Sequence, residues 1–348
     1  MKPIKTGILL VNLGTPDSPR TADVRKYLVE FLTDARVVDI PVVPRQLLVR
    51  GIIGPFRGPK SAKTYKEIWD KDKGSPLLYI SEELRDAVEE ALGDEYQVEL
   101  AMRYQSPSVK SILDRFKGKI LKKLRVIPLF PQYASATTGS VHQEVMRIVS
   151  QWQTIPDVEF VNSYPVHPDM IEAFCERGRQ YNIDDYDHVL FSFHGLPERQ
   201  LVKADEGNHC GQTTQCCFSI SDKNFYCYGA QCYATTHAIA EKLNIPPDKY
   251  TVTFQSRLGN QPWKKPYTID VLEEHAKELG TKKILVFCPA FVADCLETIF
   301  EIGVEYEEDF LKWGGEELTL VEGLNTHPTW VHALSEIARG NMGDGESI

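Results

Sequence analysis

What the sequence lacks narrows its function first. No window holds the roughly 20 uninterrupted apolar residues that a membrane-spanning helix needs, so no transmembrane segment is expected. The nearest candidate, residues 40–56 (IPVVPRQLLVRGIIGPF), is interrupted by prolines, arginines and glycines. It reads either as a greasy lip making peripheral membrane contact or covering a pocket, or as ordinary core contact. There is no complete GxGxxG or Walker loop, which disfavours a dinucleotide cofactor or ATP. Basic residues are in deficit, with 39 Lys and Arg against 49 Asp and Glu and a net charge of -10. A nucleic-acid surface normally needs a basic patch, so no nucleic-acid partner is expected. The start, Met1-Lys2-Pro3-Ile4-Lys5-Thr6, enters a strand pattern without the regions of a secretory signal, and a cytoplasmic protein is expected. Thiols stay reduced there, so clustered cysteines read as metal ligands or catalytic groups rather than disulfides.

The 348 residues are 42% apolar and 25% charged, enough for two sizeable cores. Eight short apolar runs stand out: 6–13, 97–102, 124–130, 158–162, 188–193, 251–255, 283–288 and 318–321. Amphipathic stretches lie between most of them, with helical spacing at 80–92, 235–243 and 269–279. Ser81 and Thr268 read as helix N-caps. Such alternation predicts an α/β fold with parallel sheets wrapped by helices. The runs fall four and four on either side of about residue 165, which predicts two similar halves facing each other across a cleft, although no sequence repeat supports duplication. The expected division is an N-terminal lobe, 1–165 plus 325–348, and a C-terminal lobe, 166–324, carrying a cysteine-rich insert at 203–232. The last helical stretch, 329–339, is expected to pack back on the first half.

The chemistry concentrates between Leu190 and Cys232. The run Val189-Leu190-Phe191-Ser192-Phe193 stops at His194-Gly195-Leu196-Pro197. That puts an imidazole at the carboxyl edge of a sheet, where ligands gather in open α/β folds. A buried histidine is more often a satisfied core residue, but Gly195 and Pro197 mark a strand end, and an imidazole there could ligate a metal or accept a proton near pH 7. After the run 283–288, Asp294, Glu297 and Glu301 are spaced i, i+3 and i+7, on one face of a helix. Against the bland reading of a solvated acidic face, the apolar neighbours predict carboxylates on a cleft wall. Such groups raise one another's pKa and form a relay for protons or a hard cation. Trp263, near the strand end Gln255-Ser256-Arg257, is either core packing or a flat wall for a flat aromatic ligand. Five of the eight cysteines follow as C-x5-C-C-x9-C-x4-C: Cys210, Cys216, Cys217, Cys227 and Cys232. Four thiolates hold either zinc or an iron–sulfur cluster, and the spacing matches no zinc finger.

Together these pieces resemble the ferrochelatases, which insert Fe²⁺ into a porphyrin. The resemblance spans nearly the whole chain: Gly7-Ile8-Leu9-Leu10-Val11-Asn12-Leu13-Gly14-Thr15-Pro16, Gly74-Ser75-Pro76-Leu77, Met102-Arg103-Tyr104, Pro131-Gln132-Tyr133 through Thr137-Thr138-Gly139, Phe191 through Pro197, Gln255-Ser256-Arg257 through Pro262-Trp263, Asp294 through Glu297-Thr298, and Leu324-Asn325. It implies two Rossmann-like, chelatase-type lobes, each a four-stranded parallel sheet, with a porphyrin cleft between them. It implies conversion of protoporphyrin IX to protohaem, with porphyrin and ferrous iron as partners. His194 and Glu297 become the catalytic and metal-contacting pair, Asp294 and Glu301 the outer relay, and Tyr133, Trp263, Arg57 and Tyr65 the porphyrin contacts. Cys295 stands where some relatives carry a second histidine. The insert resembles the cluster-bearing branches, which implies a [2Fe-2S] group on Cys210, Cys216, Cys217 and Cys227, with Cys232 able to replace one of the adjacent pair. Its expected role is structural or redox-sensing, because metallation changes no oxidation state. Rival readings are a coproporphyrin ferrochelatase, a cobaltochelatase for sirohydrochlorin, whose extra carboxylates call for a more basic cleft, and a non-catalytic porphyrin or haem carrier, which makes the acidic row unnecessary.

Overall fold

The computed structural model describes residues 6–117, 121–213, 215–259 and 261–343. Each of the eight apolar runs forms a strand: β1 (Thr6–Gly14), β2 (Tyr96–Tyr104), β3 (Lys123–Pro128), β4 (Asp157–Phe160), β5 (His188–His194), β6 (Tyr250–Gln255), β7 (Lys283–Phe287) and β8 (Glu317–Leu320). They form two four-stranded sheets, ordered β2-β1-β3-β4 and β6-β5-β7-β8, with every pairing parallel. The central strands explain their own legibility. Helices cover both faces of a parallel sheet, so its inner strands read as continuous apolar runs. In β1, Ile8 through Val11 are fully buried, and in β5 so are Val189 through Phe193.

The chain divides into two compact units. Of the described residues, one unit holds those through Phe130, Ala134–Ser163 and Leu334–Asn341; the other holds Pro131–Tyr133, Tyr164–Ala333, Met342 and Gly343. The last helix, Pro328–Arg339, therefore contributes its final turns to the first unit. There Arg125 Nη1 donates to the carbonyls of Ile337 (3.0 Å) and Ala338 (2.8 Å). In the second unit Phe191 of β5 stacks on Phe287 of β7, with ring centroids 5.0 Å apart.

Two helix starts differ from the sequence expectation. The helix expected at 80–92 spans Pro76–Leu92, because Pro76 takes a first-turn position where its missing N–H costs nothing. Ser81 is thus interior rather than a cap; its hydroxyl donates to Leu77 O (2.6 Å) and accepts from Asn12 Nδ2 (3.1 Å). Thr268 opens the helix Thr268–Lys277 but does not cap it. Its hydroxyl instead bonds Thr253 Oγ1 (3.0 Å) and Ser192 Oγ (2.9 Å), tying the helix to β6 and β5.

Candidate active site

In the sheet β6-β5-β7-β8 the chain leaves β5 for β6 on one side and returns to β7 on the other. The carboxyl ends of β5 and β7 therefore flank a topological switch point, the usual ligand crevice of an open α/β sheet. His194 is the last residue of β5. The loop after β7 leads into a π-helix, Leu296–Tyr306, that carries Glu297 and Glu301. Imidazole and carboxylates thus reach one edge of one unit from neighbouring strands.

Local packing fixes the imidazole. Its Nδ1 lies 2.6 Å from the Gly195 carbonyl. A carbonyl only accepts, so Nδ1 carries a proton, and in the neutral ring the lone pair is therefore on Nε2. The ring centroid is 6.3 Å from both Trp263 and Phe291. Trp263 is itself buried, with its indole N–H on the Leu258 carbonyl at 3.0 Å. The backbone carbonyl of His194 accepts a bond from the buried Tyr228 phenol (2.8 Å). Gly195 is needed here: a Cβ would stand 2.9 Å from the Gln255 carbonyl oxygen and 3.2 Å from Trp263 Cε3.

The three acidic residues do not share one set of partners. Glu301 Oε2 accepts from the Ser256 hydroxyl and from Gln255 Nε2 (3.3 Å), while its Oε1 accepts from Tyr306 (2.9 Å). Burial raises its carboxyl above the usual carboxylate range; the Ser256 hydroxyl offsets part of this, and the Glu297 charge adds to it. Gln255 also donates to the Glu297 backbone carbonyl at 2.9 Å, holding the π-helix against β6. Asp294 lies before the helix, whose N-cap is Cys295. Its buried carboxylate turns to the loop after β8, accepting from Thr298 (2.9 Å), Gly323 N (3.2 Å) and Asn325 Nδ2 (2.8 Å). Burial raises Asp294 as well, against the pull of those donors.

Of the aromatic candidates, Trp263 stands beside His194. Tyr133 meets Tyr226 edge-on at 5.5 Å, and its backbone N–H donates to Gln231 Oε1 (2.6 Å). Arg57 and Tyr65 lie in the first unit, on the helix Gly54–Ile68. Arg57 is exposed, whereas Tyr65 is buried among Tyr27 and Trp69 at 6.3 and 6.5 Å. Sequence reasoning missed Tyr228 and Tyr306, and it noted Phe291 only as an apolar lead-in to the acidic row and Gln255 and Ser256 only as a strand end. Ser256 has φ +65°, a left-handed conformation that aims its hydroxyl at Glu301.

The ferrochelatase family model matches residues 5–342. A ferrochelatase of Legionella pneumophila (strain Lens) is 45% identical over 334 residues, covering 96% of this chain and 98% of its own. One from Coxiella burnetii (strain Dugway 5J108-111) is 42% identical over 340 residues, covering 97% and 94%. The chain belongs to the ferrochelatase family. Among solved structures, SirB from Bacillus subtilis with Fe³⁺ superposes with a TM-score of 0.50 at 11% identity, covering 98% of this chain and 97% of that one. At that identity the likeness concerns the fold: two chelatase-type lobes, each built on a four-stranded parallel sheet.

This ferrochelatase is a lyase of haem biosynthesis, and iron is its substrate. None of its eight cysteines is joined in a disulfide. Cys216 Sγ and Cys217 Sγ are 3.6 Å apart, and Cys217 also bonds Cys227. The Cys217 interaction and the N–H groups of Ala230 and Gly229, at the start of the helix Tyr228–Lys242, hold the Cys227 thiol below its ordinary value. Lys264 Nζ lies 3.3 Å from Cys217 Sγ. Cys232 is wholly buried on that helix, beside Tyr228. An all-thiol donor set suits a soft metal, but among the described residues no group of three or more His, Cys, Asp or Glu is arranged to hold a metal ion.

Proposed function

We propose that this ferrochelatase inserts Fe²⁺ into protoporphyrin IX with His194 and Glu297 as its reacting groups. The observation that carries this reading is His194 at the β5 end, with Nδ1 bonded to the Gly195 carbonyl so that Nε2 is the nitrogen left to accept a proton, beside carboxylates of the π-helix. Metallation releases two pyrrole protons. His194 Nε2 accepts one of them and the Glu297 carboxylate the other, and Glu301 and Asp294 form the outer relay that passes both protons to solvent. Trp263 and Tyr133 supply flat apolar faces for the macrocycle, and binding energy spent on bending the ring exposes its nitrogen lone pairs. Of the two first-unit candidates, exposed Arg57 is better suited to a propionate than buried Tyr65.

An anaerobic assay of Fe²⁺ consumption with protoporphyrin IX and coproporphyrin side by side tests this. His194→Ala and Glu297→Gln are each expected to lower turnover by roughly 10²–10⁴-fold, the usual worth of a general acid–base group. Near-normal insertion by His194→Ala refutes the scheme, and preference for coproporphyrin reassigns the substrate.

Two further readings belong here. Cys210, Cys216, Cys217 and Cys227 hold a [2Fe-2S] cluster; the close Cys216–Cys217 pair and the Cys217–Cys227 contact support this. The visible spectrum of anaerobically purified protein tests it, and a colourless sample with one zinc per chain overturns it. Residues 40–56 meet a membrane surface peripherally, supported by exposed Val42, Val43, Leu47, Ile52 and Phe56. No helix among the described residues is long and apolar enough to cross a membrane. Failure of the protein to float with anionic vesicles would refute that contact.

A further inference from the structure

Asn325 lies in the loop after β8, at φ +49°, a left-handed conformation that asparagine tolerates better than most residues. Its backbone N–H and side-chain amide are engaged by the segment that precedes the π-helix or by a neighbouring acid. Its backbone N–H donates to the Val292 carbonyl at 2.8 Å. Its side-chain Oδ1 accepts from the Asp294 backbone N–H at 2.9 Å. Its Nδ2 donates to Asp294 Oδ2 at 2.8 Å and to Glu322 Oε1 at 3.1 Å. The amide orientation is therefore set: reversed, it would aim oxygen at two carboxylates and N–H at N–H. Asparagine supplies what this position requires, an acceptor and two donors on one short side chain.

The clamped segment carries the start of the π-helix. Asp294 Oδ1 accepts from Thr298 Oγ1 at 2.9 Å, and Thr298 Oγ1 in turn accepts from the Cys295 N–H at 3.0 Å. Glu297 sits inside that turn. A hydrogen-bonded path thus runs from Asn325 through Asp294 and Thr298 to the backbone that aims Glu297.

We propose that Asn325 is a positioning residue for iron insertion, fixing Asp294 and with it the first turn of the π-helix so that Glu297 meets the reacting centre. The proposal rests on the role assigned above to Glu297. Misplacing a reacting group by about 1 Å typically costs on the order of 10²-fold in rate, and Gln255 supplies a second hold on Glu297, so the expected loss is smaller.

The test compares anaerobic iron-insertion kinetics of the full chain with those of Asn325→Gly, Asn325→Asp and Glu297→Gln. Glycine keeps the left-handed backbone and removes the clamp. Aspartate keeps the acceptor but sets a carboxylate against Asp294 and Glu322. Both Asn325 variants are expected to lose about tenfold in kcat, with KM for porphyrin within twofold of the parent and an unchanged far-UV circular dichroism spectrum. A kcat within twofold of the parent for Asn325→Gly would overturn the proposal, leaving Asn325 to serve only the backbone turn. So would a rise in KM matching the fall in kcat, or a fall in kcat that tracks loss of folded protein in both variants. Parental turnover by Glu297→Gln would remove the role on which the proposal rests, and it registers in a separate measurement from the Asn325 variants.

Discussion

Replacing Gly195 by alanine puts one methyl group into the tightest part of the site. The new Cβ would stand 2.9 Å from the Gln255 carbonyl oxygen and 3.2 Å from Trp263 Cε3. Neither neighbour yields easily. That same carbonyl accepts the Gly195 N–H at 2.8 Å, and Trp263 is buried with its indole bonded to Leu258. Relief requires a shift of a few tenths of an ångström in the turn that carries His194. Overpacking of this kind costs about 1–3 kcal/mol. For a unit of this size that lowers Tm by about 2–4 °C per kcal/mol. Displacing the imidazole should also lower kcat roughly 10- to 100-fold, since reacting groups tolerate little misplacement. Calorimetry and the anaerobic iron-insertion assay measure the two effects separately. Gly303→Ala is the control: its Cβ would meet only Thr298 O at 3.5 Å and Leu320 Cδ2 at 3.6 Å, ordinary contacts. It should be neutral or stabilising by up to about 1 kcal/mol, from helix propensity. If Gly195→Ala matches Gly303→Ala in both Tm and kcat, the tight packing around His194 is refuted.

Other outcomes follow from the same geometry. Ser256→Gly keeps the left-handed backbone and removes one donor from Glu301, and Tyr306→Phe removes another; each should cost about 1–2 kcal/mol, read from urea unfolding at neutral pH. Burial, with His275 alongside, pushes the His188 imidazole down to about 4. The folded state therefore prefers the neutral ring, so its contribution is complete above about pH 6.5 and is lost as pH falls from there towards 4. The full shift would be about 3 kcal/mol, discounted for partial solvent exposure to about 1–2 kcal/mol. His188→Gln should accordingly flatten the decline of the urea midpoint between pH 7 and 5, and an equally steep decline counts against this origin. Phe191→Ala opens a cavity between Phe287 and Tyr250, whose rings lie 5.0 and 5.7 Å away, and should cost about 3–5 kcal/mol in urea unfolding.

How much was legible in the sequence depended on how local the cause was. The central strands β1 and β5 were, because strands buried on both faces show as apolar runs whatever surrounds them, whereas the half-buried edge strands β4 and β8 showed only as short runs between turn residues. His194 was, because Gly195 and Pro197 end its strand. The shared face of Asp294, Glu297 and Glu301 assumed 3.6 residues per turn. The helix there closes i→i+5 bonds and begins only at Leu296, so Asp294 falls outside it and turns towards Asn325. The same widened turn puts Tyr306 five residues on, where its phenol reaches Glu301, a contact that α-helical spacing does not suggest. Ser81 misled as a cap because the stronger start signal, Pro76, lies five residues earlier. Asn325 gave no local sign of its clamp, since Asp294, which it holds, lies 31 residues away in the chain.

The two sheets show why the architecture alone does not assign the chemistry. Both have the same strand order, and β1 and β5 are equivalent central strands. At the carboxyl end of β1 the register pairs Gly14 with Tyr104; at the end of β5 it pairs His194 with Gln255. Gly14 sits at φ +119°, and a Cβ there would come 2.1 Å from the Tyr104 carbonyl oxygen, so no side chain fits. His194 at the matching place carries an imidazole between Trp263 and Phe291. One topology therefore yields two switch points, of which one ends in bare backbone and the other in a base. A likeness of fold at 11% identity conveys the strand order common to both, whereas identity of 42–45% along nearly the whole chain assigns the family. A gain of function by placing histidine at Gly14 is accordingly not expected: the strain would unfold the carboxyl end of β1 before an imidazole could act there, and a stable, well-folded Gly14→His variant would show the backbone contact at Tyr104 to be far looser than its geometry implies.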